Sequence, residues 1–220
     1  MACGQPCGRK LVCGSRQSWW AILLVLMLAA CAREPFRVRP TVDQPVSQNQ
    51  SVTATEADYV LQARAIWDGN ELVDRFDANH LTAGMLPVYV WLEARTAIPL
   101  DLSTFEFRLR DAAGRTWRRL SVGQSEQRLM KAYGVRIYSV DGYQTFRQRY
   151  AAWGFPTAGR LASGTRAEGF LFFEIPRAWR HSLTGSDMWL EVRRRGPGAR
   201  TVTRIELPMS NVVTSAVSGQ

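Results

Sequence analysis

The stretch TFEFRLRD, residues 104–111, constrains the fold most: Phe105, Phe107 and Leu109 alternate with Glu106, Arg108 and Arg110. A period of two puts the apolar side chains on one face of a strand and the charged ones on the other, so this strand is half buried. Asp111-Ala-Ala-Gly114 forms a turn, and RTWRRLSV, starting at Arg115, is expected to return as its hairpin partner. Upstream, LPVYVWLEA sets Val88, Val90 and Leu92 against Tyr89 and Trp91, so both faces of that strand need cover. EGFLFFEIP, DMWLEVRRR and RTVTRIELP give three more strands, the last two joined at Gly196-Pro197-Gly198, while Tyr59 to Trp67 reads as the first strand. Short strands separated by turn residues, without the spacing of strand–helix–strand units, predict an all-β antiparallel sandwich.

All four cysteines, Cys3, Cys7, Cys13 and Cys31, precede this region, which leaves it no thiol for a disulfide, a zinc site or nucleophilic catalysis. The N-terminus has Arg9, Lys10 and Arg16 without an acid, then an apolar run from Trp19 to Ala30, then small residues before Cys31, which is the layout of an export signal. At about 1.5 Å per residue that run covers roughly 18 Å, short of the roughly 30 Å hydrocarbon core of a bilayer. Leu28-Ala-Ala-Cys31 resembles the bacterial lipoprotein signal. The resemblance implies loss of residues 1–30, a diacylglycerol on the Cys31 thiol and an acyl chain on its new amino group. Two or more chains give stable anchoring where one is marginal. Ala32 follows the cysteine where an inner-membrane retention signal has Asp, so the resemblance further implies the outer membrane, on its periplasmic side.

From Ala32 to about Glu56 the chain is rich in Pro, Gln, Ser and Thr and reads as a flexible tether, so 31–56 is expected to be lipidated cysteine plus linker. The polar tail 209–220 is expected to be disordered. Residues 57–208 are long enough for one domain with a single core.

Within it, the sheet pattern stops over about 122–166, longer than a plain loop, so a helical insertion is expected there. Tyr143, Phe146, Tyr150 and Trp153 recur at helical spacing, Asp141 to Gln144 has the form of a capping box, and Gly154 followed by Pro156 supplies a stop; this predicts a helix over 142–153. A second, weaker helix is expected over 126–133, starting at Ser125. Tyr143, Phe146, Arg147, Arg149, Tyr150 and Trp153 are the candidate binding surface: either an aromatic and basic platform for a ligand or membrane, or an aromatic stripe covering the outer side of the sheet.

VYVWLEARTAIPLDLSTFEFRLRDAAGRTW, then SGTRAEGFLFFEIP and the closing TRIELP, resemble the immunoglobulin-like domains of small exported bacterial lipoproteins of unknown function. The resemblance implies an immunoglobulin-like sandwich in the cell envelope and says nothing of chemistry.

Catalytic machinery is sparse. His80 and His181 are the two histidines. Asp74, Asp77 and His80 are spaced three apart, but Asn70 reads as a helix cap, Leu72 and Phe76 as a packing pair, and no second cluster completes a metal site. His181 lies beside Trp179 and two arginines with no nucleophile motif nearby. No phosphate-binding glycine loop is present. Catalytic residues, metal ligands and cofactors other than the covalent acyl chains are therefore not expected.

The formal charge of +9 falls to +6 once Arg9, Lys10 and Arg16 are removed, and all the basic residues except Lys10 and Lys131 are Arg. For an exported, mildly basic domain nucleic acid is not an expected partner. Arg193 to Arg195 form a local cluster that suits lipid phosphates or a solvated strand end. The sequence thus predicts a membrane-anchored envelope lipoprotein acting as a non-enzymatic interaction module with a protein partner. The alternative is a carrier or sensor of an amphiphile or glycan through the 143–153 surface.

Overall fold

A computed structural model describes residues 34–41, 51–177, 188–195 and 200–208. The export signal, Cys31, His181, the Gly196–Gly198 turn and the 209–220 tail lie outside the described residues.

In chain order the strands are β1 (Val52–Thr55), β2 (Tyr59–Ala65), β3 (Met85–Ala94), β4 (Leu100–Asp101), β5 (Phe105–Asp111) and β6 (Thr116–Trp117). They continue as β7 (Arg119–Leu120), β8 (Arg160–Leu161), β9 (Arg166–Glu174), β10 (Met188–Arg195) and β11 (Arg200–Leu207). One sheet has the order β1-β2-β3-β9-β7 and a second the order β11-β10-β5-β6, with β4 and β8 pairing separately. All the strand pairs are antiparallel.

The alternation of TFEFRLRD carries through. Phe107 and Leu109 face Val192 and Leu190 across the β5–β10 register. From the other sheet, Leu61, Val88, Val90 and Leu92 join them in one buried cluster. Each side chain of that size removed from water contributes about 1.5–3 kcal/mol.

The hairpin expected after Gly114 is only half formed. Gly114 takes the left-handed φ of 74° that the turn needs. Asp111 then accepts from the Arg115 amide, Arg115 Nε and Trp117 Nε1. Burial alone would raise its pKa, yet these bonds hold it below the usual carboxylate range. After Thr116–Trp117 the chain leaves the sheet, and Leu120 pairs with Phe172 of the other one. The cause is the placing of two side chains: Trp117 enters the core between the sheets, whereas Leu120 enters a second core on the outer face.

That second core makes the molecule three layers deep. Tyr89, Phe170 and Phe172 project from β3 and β9 away from the sandwich, and helices cover them. Helix α1 (Gly69–Phe76) is capped by Asp68, not Asn70, through a 2.8 Å bond from the Asn70 amide. Helix α2 (Val122–Ala132) starts three residues earlier than Ser125, because Ser121 and Gln124 form the reciprocal capping box. A cap of this kind is worth about 1 kcal/mol. Helix α3 (Val140–Ala152) is capped by Ser139, which accepts from the Gly142 amide. Asp141, expected as the cap, instead lies in the first turn, where its charge suits the helix dipole.

The tether expectation is also corrected. Val52 to Thr55 is a strand, paired Ala54 to Leu61. Further upstream, Phe36 and Val38 are only 4 % and 1 % exposed and belong to the second core. Phe36 and Val38 alternate within a polar stretch, and these two side chains dock residues 34–41.

Candidate functional site

The helical layer is built around a polar chain with no solvent access. His80 follows α1 and is fully buried, its ring stacked on Phe172 and Tyr150. Tyr150 Oη donates to Ser125 Oγ at 3.0 Å, and Ser125 Oγ donates to the Val122 carbonyl at 2.7 Å. With the Tyr150 proton so committed, His80 Nε2 is the donor in the 3.0 Å contact to Tyr150 Oη. Burial lowers the His80 pKa to about 3, with the Ala78 backbone acting the other way. Burial likewise raises Tyr150. His80 is therefore neutral at physiological pH and packs among the rings of the helical layer.

The spacing of Asp74, Asp77 and His80 does not become a site. Asp77 ends α1 in a left-handed conformation at φ 56°, and its carboxylate accepts from the Arg37 amide. Asp74 is exposed. Among the described residues no group of three His, Cys, Asp or Glu side chains is placed to share a metal ion.

The candidate surface on α3 divides into two halves. Phe146, Tyr150 and Trp153 are core residues, packed against Phe36, Phe76, Phe170 and Phe172, and are not available to a ligand. Their helical spacing signalled cover for the sheet, one of the two readings the sequence allowed. Tyr143 Oη donates to Glu126 Oε1 at 2.6 Å, which raises the Tyr143 pKa. Arg147 reaches the other oxygen of Glu126 at 3.5 Å and lies over the Tyr143 ring. Arg149 pairs with Glu34 at 3.4 Å.

This last contact shows what occupies the platform: the chain's own residues 34–41. Phe36 lies edge-on to Tyr133 and against Phe146. The Arg39 amide donates to the Arg75 carbonyl at 2.9 Å, and Trp153 Nε1 donates to the Arg39 carbonyl at 2.7 Å. Aromatic rings, an ion pair and three backbone-directed hydrogen bonds thus fix residues 34–41 as a strap, and its Glu34 is three positions after Cys31.

Among the described residues, this layer has two open surfaces. One is the loop joining α2 to α3 together with the first residue of α3, where Ile137 and Val140 are exposed. The other is a groove of about 640 Å³ between α2 and β7, lined by Thr82, Leu120, Gln127, Arg118, Arg128 and Lys131. Glu174 sits behind it, pairing with Arg128 and Arg118, and these bonds hold its carboxyl below the usual range. Arg128 also donates to the Ala83 carbonyl, while Lys131 is exposed. The groove escaped sequence reasoning because its residues come from three separate stretches with no shared spacing.

The Arg193–Arg195 cluster is engaged at home: Arg193 with Glu191, Arg194 with Asp58 and Arg195 with Glu106. Among the described residues no helix is long and apolar enough to cross a membrane.

No family model and no curated protein matches the chain. Among solved structures, the chain is similar to the yjhA protein from Bacillus subtilis, at 13 % identity and a TM-score of 0.32, over 62 % of this chain and 75 % of that one. A functionally unknown protein from Listeria monocytogenes EGD-e aligns at 9 % identity and a TM-score of 0.39, over 72 % and 81 %. A DUF4426 family protein from Pseudomonas aeruginosa PAO1 aligns at 8 % identity and a TM-score of 0.31, over 70 % and 92 %.

Proposed function

We propose that this chain is a membrane-anchored lipoprotein of the cell envelope, held by acyl chains on Cys31 at the periplasmic side of the outer membrane, and that its domain is a non-enzymatic interaction module. The observation that carries this reading is the strap: an anchor at Cys31 would lead within three residues into a segment bonded to the helical layer. Such a connection orients the domain, which is useful to a docking protein and needless for a freely tethered one.

The strand order supports an immunoglobulin-like reading of the sandwich. β2-β3-β9-β7 follows the A-B-E-D order of that fold, and β11-β10-β5-β6 follows G-F-C-C′. The helices α2 and α3 then fall between the strands equivalent to D and E. For the docking surface we favour the groove, whose Arg118, Arg128 and Lys131 outnumber the single acid Glu174 and suit an acidic segment of a protein partner.

In cells, a photoreactive residue in place of Gln127 is expected to crosslink one discrete envelope protein, and the crosslink is expected to disappear with Arg118→Glu plus Lys131→Glu. Crosslinks to bulk neighbours alone, unchanged by the charge reversals, would argue against the module. In parallel, Cys31→Ser is expected to move the protein out of the membrane fraction; retention there in a processed, unacylated form would argue against the anchor.

A further inference from the structure

We propose that the exposed loop 133–140 is a bilayer-contact site that holds the domain on the membrane surface beside its anchor, an inference that rests on the acylation of Cys31. The loop carries Ile137 at 82 % and Val140 at 72 % exposure, flanked by the half-exposed rings of Tyr133 and Tyr138. A single exposed apolar residue needs no explanation, but these four side chains fall within eight residues of chain and form a local apolar group. Tyrosines beside them are suited to the headgroup level, with ring body in and hydroxyl out.

The position of the strap identifies that environment. A continuous line of rings runs Tyr133, Phe36, Phe146, Tyr143, Tyr138, with neighbouring centroids 5.4, 5.5, 6.5 and 5.0 Å apart. Phe36, inside this line, is the fifth residue after Cys31. Five residues span at most about 18 Å when fully extended. Glu34, pinned by Arg149, is the third, and three residues reach no more than about 11 Å. An acylated Cys31 sits at the lipid interface, where headgroups occupy roughly 5–8 Å per leaflet. The anchor therefore limits Glu34 to about 11 Å and Phe36 to about 18 Å from the lipid interface, close enough for the loop beside Phe36 to reach the headgroups.

Charge agrees with this placement. Lys131 and Arg136 are exposed on or beside the loop, and Arg147 lies over Tyr143; Asp141 is the one acid in the same stretch. Basic residues next to apolar ones favour the anionic headgroups of a bilayer. The chain contains its own control. Ile98 is 76 % exposed but follows the far end of β3, whereas the loop is tied through Tyr133 Oη to the Asn79 amide, ahead of the start of β3. A ten-residue strand separates the two ends by about 33 Å.

The test uses the acylated chain purified from membranes and reconstituted in vesicles of phosphatidylethanolamine and phosphatidylglycerol. Ile137→Cys or Ile98→Cys carries an environment-sensitive fluorophore; both positions are exposed, so neither change disturbs the core. After processing at Cys31, whose sulfur is in a thioether, the introduced thiol is the only one left to label. The expected result is blue-shifted emission at position 137, quenched by spin-labelled lipid and shielded from aqueous iodide, with position 98 open to iodide. Equal iodide quenching at both positions, in protein whose intact mass carries the acyl groups, overturns the bilayer-contact site and leaves the anchor standing. An intact mass with a free Cys31 overturns the anchor, and the contact site with it.

Discussion

Lowering the pH from 7.5 to 4.5 is expected to cost the folded protein about 3 kcal/mol through His80 alone, at about 1.36 kcal/mol per pH unit below the unfolded pKa of 6.5. The sign follows from which state binds the proton first. In the unfolded chain the imidazole protonates near 6.5, whereas in the folded chain burial keeps it neutral down to about 3. Stability from this residue is thus complete above pH 6.5 and is lost progressively as the pH falls toward 3. Glu174 and Asp111, whose folded pKa values are depressed, begin to lose their contribution only near pH 4.5 and below, and do so alike with and without His80, so they do not obscure the comparison. Urea unfolding at the two pH values should show the loss in the native chain and a much smaller one in His80→Gln, which keeps a donor for Tyr150 but does not titrate. An equal pH dependence in both proteins would mean that His80 is not the enclosed neutral group described above.

Gly169→Ala should destabilise by 3 kcal/mol or more, at or beyond the upper end of the roughly 1–3 kcal/mol usual for overpacking. Gly169 has a φ of 154° and faces the end of α3, where an added Cβ would lie 2.6 Å from the Phe155 nitrogen and 2.7 Å from the Gly154 carbonyl carbon. These are backbone atoms and cannot swing aside. They are also held in place: the Phe155 amide donates to the Phe170 carbonyl, and the Phe170 amide donates to the Trp153 carbonyl. A methyl group there prises the helical layer from β9. Gly164→Ala is the comparison, since its φ of 71° carries strain but nothing lies within 4 Å of the added atom; its cost should stay near 1–2 kcal/mol. Thermal or chemical denaturation gives both values, and equal losses would mean that the close approach of Gly154–Phe155 to β9 does not hold in solution.

How much of this was legible in the sequence depended on whether a signal was periodic and local. Phe105 to Asp111 and Met85 to Ala94 announced themselves by alternation, and the insertion announced itself by the loss of it. The aromatic spacing of α3 was visible too, but spacing alone does not say whether a stripe faces a ligand or a sheet; Tyr89, Phe170 and Phe172 on the outer face decide that. Caps were misplaced by two to four residues because Asn70, Asp141 and Ser125 are as capable of capping as Asp68, Ser139 and Ser121. Phe36 and Val38 were lost in a polar stretch, since two buried residues barely alter its composition. The groove was beyond reach, because only the packing of α2 beside β7 brings Arg118 and Lys131 to one place.

The strap joins these results. If the residues after the anchor are part of the fold, the domain has a fixed face toward the lipid, the loop 133–140 lies on that face, and the groove beside α2 is held at a set distance from it. Hydrogen exchange at the Arg39 amide tests this most directly, in the chain processed at Cys31. Bonded to the Arg75 carbonyl and fixed by the Trp153 indole on the Arg39 carbonyl, that amide should exchange slowly, together with the amides of α1 and α3. Exchange at the rate of a free peptide, while the helices stay protected, would contradict a docked strap and return residues 32–41 to the role of a flexible tether.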